Sequence, residues 1–139
     1  MKLHHIGIAV GSLEAARPVF EKLLGKPPDS VEVVEGQKVR VAIFQVGDCR
    51  LELLEATSED SPLARSLSKR GQGLHHFALA VEDLAGTLRK LEFAGVRLID
   101  REPRGGAGNE QVAFLHPAST AGILIELIEK KDDARREEL

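Results

Sequence analysis

Apolar and polar positions alternate along residues 2–10: Ile6, Ile8 and Val10 share one face of an extended chain, and His5, Gly7 and Ala9 share the other. That pattern predicts a strand. From Leu13 the period changes. Leu13, Ala16, Phe20, Leu23 and Leu24 recur at helical spacing between Ser12, an N-cap type, and Gly25, a C-terminal stop. Pro18 lies inside the pattern and removes one helical donor, which predicts a bent or late-starting helix. Pro27 and Pro28 break the chain, and strands are predicted near 30–35, 38–46 and 49–55, with Gly47-Asp48 as the turn between the last two.

Residues 56–73 read as a connector holding a short helix that starts at Ser61-Pro62 and stops at Gly71. The order then recurs: a strand at 74–81, a helix over about 83–94 capped by Asp83 and stopped by Gly95, and strands near 96–102, 110–115 and 122–129. The recurrence extends to the residues. Leu3–Val10 reads LHHIGIAV and Leu74–Val81 reads LHHFALAV; Leu51–Glu55 reads LELLE and Ile125–Glu129 reads IELIE. Self-similarity at a nearly fixed offset marks a duplicated unit. Each copy reads β-α-β-β-β, and neither can cover its own apolar face. Two tandem modules side by side predict an α+β fold, a half-open mixed β-barrel with helices outside. The expected organisation is one domain over 1–139: module one about 1–56, connector 57–72, module two about 73–130 and a charged tail, 131–139.

The repeat carries chemistry. His5 and His76 occupy equivalent positions on the first strand of each copy, and Glu52 and Glu126 equivalent positions on the last. Gly7, Ala9, Ala78 and Ala80 flank the two histidines on their strand face, leaving room for a ligand where a packed core would place Leu or Val. Glu126 interrupts an otherwise apolar run from Gly122 to Ile128, and a carboxylate buried in such a strand is costly unless a cation or partner compensates it. A single His or Glu in this setting reads as an ordinary core or outer-face residue; the matched pairs read as a metal site of His5, Glu52, His76 and Glu126. Mixed imidazole and carboxylate donors suit Co²⁺, Mn²⁺, Ni²⁺, Zn²⁺ or Fe²⁺. Four protein ligands on an octahedral ion leave two positions for a bidentate substrate. His116 stands before a proline at a strand end, where a loop role and a substrate contact are both open. Cys49 reads as a small buried or edge residue.

Composition narrows the partners. A net charge of −3 and the absence of Trp and Tyr argue against a nucleic-acid surface. A single cysteine excludes an intrachain disulfide and suits a reducing, cytoplasmic setting. No apolar run approaches the roughly 20 residues of a spanning helix, and the chain starts directly on its first strand, so no membrane association is expected.

The stretches His4–Val10, Leu51–Glu55, Glu59–Ala64, Gly73–Ala78, Val112–Pro117 and Gly122–Leu127 resemble the vicinal oxygen chelate superfamily, which includes glyoxalase I, extradiol dioxygenases and fosfomycin-resistance proteins. Within it, residues 3–130 resemble the methylmalonyl-CoA epimerase family most closely. The resemblance implies the vicinal oxygen chelate fold, His5, Glu52, His76 and Glu126 as ligands of a divalent metal (Co²⁺ first, with Zn²⁺, Mn²⁺, Ni²⁺ or Mg²⁺ as alternatives), and a homodimer. It implies an isomerase that interconverts (2R)- and (2S)-methylmalonyl-CoA through an enolate, as in propionate metabolism, with Glu126 and Glu52 as candidate proton carriers. Val41 occupies the place where some members carry a further Glu, with Arg40 beside it on the other face. The glycine-rich loop 104–109 reads either as an anion-binding backbone or as a plain hairpin, and Lys38, Arg40, Lys69 and Arg70 are candidates for coenzyme A phosphates. The alternatives are a glyoxalase I-type lactoylglutathione lyase, which would use the same four ligands, and a non-catalytic binding member of the same fold. A ring-cleaving dioxygenase would use three.

Overall fold

The computed structural model describes residues 1–130; the charged tail 131–139 lies outside the described residues. The elements are β1 (Lys2–Ala9), α1 (Leu13–Leu24), β2 (Ser30–Val34), β3 (Val39–Val46), β4 (Cys49–Ala56), α2 (Pro62–Arg70), β5 (Gly73–Ala80), α3 (Leu84–Phe93), β6 (Arg104–Gly105), β7 (Gln111–Leu115) and β8 (Ile125–Glu129). The strands form a mixed sheet in the order β2-β3-β4-β1-β5-β8-β7-β6, which with three helices is the α+β class expected from the repeat. By their contacts the described residues divide into two compact units: Leu3–Ala78, and Met1–Lys2 with residues 79–130.

In the first unit β1 runs parallel to β4, and β4, β3 and β2 are successively antiparallel. The registers Gly7↔Glu52 and Glu52↔Ile43 put these three residues on one face of the sheet. The other face belongs to α1. Val10, Leu13, Ala42, Phe44 and Leu53 are buried together there, with Ile8, Ala16, Phe20, Leu24 and Leu51 packed against them. Each such aliphatic side chain contributes about 1.5–3 kcal/mol when fully removed from water. Ser12 caps α1 by accepting from the Ala15 amide at 3.2 Å, and Gly25 ends it in the left-handed region at φ 73°. α1 begins at Leu13 and continues through Pro18, so the late start expected from that proline does not occur. Its amphipathic face holds the turn together despite the one missing donor. Ser61, fully buried, caps α2 by accepting from the Ala64 amide at 2.9 Å.

In the second unit α3, capped by Asp83 at 3.0 Å from the Gly86 amide, packs Leu84 and Leu88 against Ala113, Leu115 and Leu127. β7 and β8 pair antiparallel, with Phe114 opposite Glu126. Two expected strands are shorter than predicted. Residues 96–102 make only an isolated bridge, Leu98↔Leu115, and the paired strand is the two-residue β6. The Asp100 carboxylate accepts from the Phe114 amide at 2.8 Å, taking a donor that a regular ladder would use, and Pro103 has no donor to offer. At the other end, residues 122–124 are a turn continuation: the Gly122 amide donates to the Pro117 carbonyl and the Ile123 amide to the Thr120 carbonyl, so β8 starts only at Ile125.

The two units share a device that strand alternation does not predict. The Glu55 carboxylate accepts from the Leu13 amide at 3.2 Å, and the Glu129 carboxylate accepts from the Leu84 amide at 2.7 Å. Each ties the last strand of its copy to the first amide of that copy's helix, where a negative charge meets the positive end of the helix dipole. In each repeat, then, one Glu serves the helix side of the sheet and the other faces away from it.

Candidate metal centre

β1 presents His5, Gly7 and Ala9 to its buried face, as the alternation predicts. β5 presents His76 and Ala78 in the same way. The His76 ring lies against Gly7 of β1, where the missing Cβ makes space for it. The two imidazoles meet with Nε2 facing Nε2 at 3.1 Å and ring planes 89° apart. Glu52, held on β4 beside Gly7, places Oε1 3.5 Å from His5 Nε2. All three side chains are buried, at 3%, 5% and 8% exposure for His5, Glu52 and His76. Such burial is expensive for polar groups unless their electrostatics are completed.

Glu126 sits on β8 between Ile125 and Leu127, which pack toward α3, so its own side chain takes the other face of the strand. It is 5% exposed. His5, His76 and Glu126 each offer one ligand atom, and these atoms all lie within 4.8 Å of one another. Glu52 touches His5 but is not a member of that three-atom cluster. The donor set is two imidazole nitrogens and a carboxylate oxygen, which fits a borderline divalent ion.

The neighbouring histidines are part of the arrangement. His4 Nδ1 is 2.7 Å from His5 Nδ1, and His75 Nδ1 is 2.9 Å from His76 Nδ1. Strand parity sends His4 and His75 to the opposite face, so alternation alone gives them no role.

Other sequence candidates fall elsewhere. Val41 is buried on the Glu52 face, opposite Leu54, and Val39 and Ile43 flank it there. Arg40 lies on the α1 side, lining a cleft with Arg17, Glu21 and Glu55. Lys38 is paired with Asp60, and Lys69 and Arg70 stand in the last turn of α2. His116 caps a short 3-10 turn, its Nδ1 accepting from the Ala118 amide at 3.0 Å, which gives it a loop role. The 104–109 segment is a hairpin whose Gly106 amide donates to the Glu110 carbonyl. Among the described residues no helix is long and apolar enough to cross a membrane.

Residues 4–114 match the family model of the Glyoxalase/Bleomycin resistance protein/Dioxygenase superfamily, and the chain belongs to that superfamily. It is 47% identical over 136 residues to an uncharacterized protein, YqjC, of Bacillus subtilis (98% of this chain, 97% of that one). It is 35% identical over 128 residues to the ethylmalonyl-CoA/methylmalonyl-CoA epimerase of Cereibacter sphaeroides (91% and 96%). Among solved structures, a single-residue variant of the Streptomyces coelicolor methylmalonyl-CoA epimerase in complex with 2-nitronate-propionyl-CoA superposes with a TM-score of 0.89 at 34% identity, covering 94% of each chain. The fold is therefore of the vicinal oxygen chelate type.

Proposed function

We propose that this protein is a metal-dependent epimerase that interconverts (2R)- and (2S)-methylmalonyl-CoA. The carrying observation is the buried donor set, with His5, His76 and Glu126 ligand atoms within 4.8 Å of one another. Similarity to epimerases of that name supports the choice of substrate. His5, Glu52, His76 and Glu126 would hold a divalent ion, Co²⁺ first among those suited to the donors, with Zn²⁺, Mn²⁺, Ni²⁺ and Mg²⁺ as alternatives. When bound, such an ion supplies positive charge to the paired oxygens of a thioester and its neighbouring carboxylate as negative charge develops on them.

The chain's own residues supply the rest. Gly7, with no side chain, gives the His76 ring its place beside His5. Epimerisation needs the C2 proton taken from one face of a carbon that becomes planar and a proton returned to the other. Glu126 and Glu52 are the two carboxylates assigned to that exchange, one accepting and one donating. Val39, Val41 and Ile43, all apolar and on the Glu52 face of β3, leave that strand without a proton carrier. General acid–base help of this kind is worth about 10²–10⁴ in rate. The partner is methylmalonyl-CoA and the protein works as a homodimer, readings supported by the family resemblance, in the reducing cytoplasmic setting that a single cysteine suits.

The test is exchange of deuterium into C2 of methylmalonyl-CoA in heavy water, with and without a chelator. Exchange that stops on chelation and returns with Co²⁺ is expected. Exchange indifferent to the chelator would remove the metal from the mechanism. No exchange at C2, combined with isomerisation of a glutathione hemithioacetal, would establish the lactoylglutathione lyase reading instead.

A further inference from the structure

We propose that His4 and His75 are positioning residues that fix the tautomers of His5 and His76, so that both buried Nε2 atoms offer lone pairs to one cation. The inference rests on the metal reading above and extends it to the residues behind the ligands. Its basis is a repeated geometry. His4 and His5 approach Nδ1 to Nδ1 at 2.7 Å, and His75 and His76 do the same at 2.9 Å, the equivalent members being offset by 71 positions. The ring pairs are also alike, with centroids 5.0 and 5.1 Å apart and planes at 76° and 87°.

A neutral imidazole carries one N–H, and its other nitrogen accepts. Two Nδ1 atoms at hydrogen-bond distance must therefore be one donor and one acceptor. For His5 to give its Nε2 lone pair to a cation, its hydrogen must be on Nδ1, and His4 Nδ1 must accept it. His4 then carries its own hydrogen on Nε2. The same reasoning applies to His75 behind His76. A ligand histidine without such an acceptor divides between two tautomers, and one of them points an N–H at the cation. His5 and His76 face each other at 3.1 Å, so an incorrect tautomer on either ring also hydrogen-bonds to the other and closes the site. Adjacent residues on a strand normally serve opposite faces. Here the outer histidine reaches back to its neighbour's ring in both copies.

The experiment is Co²⁺ titration of the full chain against a competing chelator, for wild type, His4→Leu, His75→Leu, His4→Asn and His75→Asn. An Asn amide oxygen stands where the His Nδ1 stood and accepts the same hydrogen. Each Leu variant should bind Co²⁺ about 10–100-fold more weakly, the usual cost of losing a partner behind a ligand, and each Asn variant should restore most of that loss. Nitrogen-15 spectra of the Zn²⁺-loaded protein should show His5 and His76 as Nδ1–H tautomers, a readout that needs no substitution and survives the misfolding of any variant. Leu variants that bind as wild type does, Asn variants as weak as the Leu ones, or Nε2–H tautomers at His5 and His76 would each overturn the proposal. A wild type that binds Co²⁺ no better than a His5→Ala/His76→Ala variant would instead defeat the metal reading, and this inference with it.

Discussion

A Cβ built on Gly7 would stand 2.3 Å from Cε1 of His76, 2.6 Å from its Nδ1 and 2.9 Å from its Nε2. The glycine is thus what lets the second histidine cross over the first strand. Its neighbour in register, Glu52, is on the same face, so the three residues depend on one another's placement. Gly7→Ala is expected to push the imidazole out of line with His5 and weaken Co²⁺ binding at least 10-fold, at an overpacking cost of about 1–3 kcal/mol. Ala78, the equivalent position of the second copy, already carries a Cβ, and Ala78→Gly should leave affinity nearly unchanged and cost about 0.5–1 kcal/mol. Co²⁺ titration and chemical denaturation of the two variants check the contrast. Equal affinities would show that His76 has another way to reach His5.

The carboxylates of Glu55 and Glu129 reach the first amides of α1 and α3, at 3.2 and 2.7 Å. They are expected to act on stability and not on chemistry. Glu55→Ala and Glu129→Ala should each lower stability by about 0.5–2 kcal/mol, the range for losing a helix cap, with metal affinity unchanged. Urea melts beside Co²⁺ titrations test this. A loss of metal binding in either variant would show that the helix end positions the ligands as well.

Much of this is legible in the chain because duplication states each feature twice. Strand alternation places His5 and His76 on the buried face, and the cap types of Ser12, Ser61 and Asp83 place three helix starts. The repeat implies four ligands; the compact three-atom cluster has only His5, His76 and Glu126, with Glu52 beside His5. What the pattern misses depends on side chains acting off their own face. Asp100 substitutes for a ladder partner at the Phe114 amide, so a β-like run at 96–102 does not become a strand. Glu55 and Glu129 share the helix-side face of their strands with Leu51, Leu53, Ile125 and Leu127, and what they bind shows only once the helix ends are placed beside them. His4 and His75 are on the wrong face by parity and return through their rings, which alternation cannot show.

Asp60 gives a pH marker on the exposed surface. Its hydrogen bond from Lys38, with a second from Ser58, holds the carboxyl down to about 2 from its ordinary 3.8. A folded-state value below the unfolded one contributes stability that is fully present above about 3.8 and is lost as pH falls through about 2. In Lys38→Met the Asp60 carboxyl should titrate closer to 3.8, because the leading cause of the shift is gone. Carbon-13 NMR of the side-chain carboxyl reads the midpoint directly; an unmoved midpoint would assign the shift to Ser58.

Glu126 and Glu52 are the pair on which the chemistry divides. Both are 5% exposed, both occupy the same place in their repeats, and the ligand cluster includes Glu126 while Glu52 places Oε1 3.5 Å from His5 Nε2. An amide keeps an oxygen donor for a metal but cannot carry a proton. Glu126→Gln is therefore expected to keep Co²⁺ affinity within about 10-fold and to lose about 10²–10⁴ in epimerisation, the range of one acid–base group. Glu52→Gln separates two roles for the first carboxylate. If Glu52 carries the second proton, exchange of one epimer continues through Glu126 while conversion to the other epimer stops, because a proton can leave and return on one face only. If Glu52 only completes the coordination, exchange and epimerisation fall together and by little. Following deuterium incorporation and stereochemistry in the same sample distinguishes the outcomes, and retained turnover in Glu126→Gln would remove Glu126 as a base.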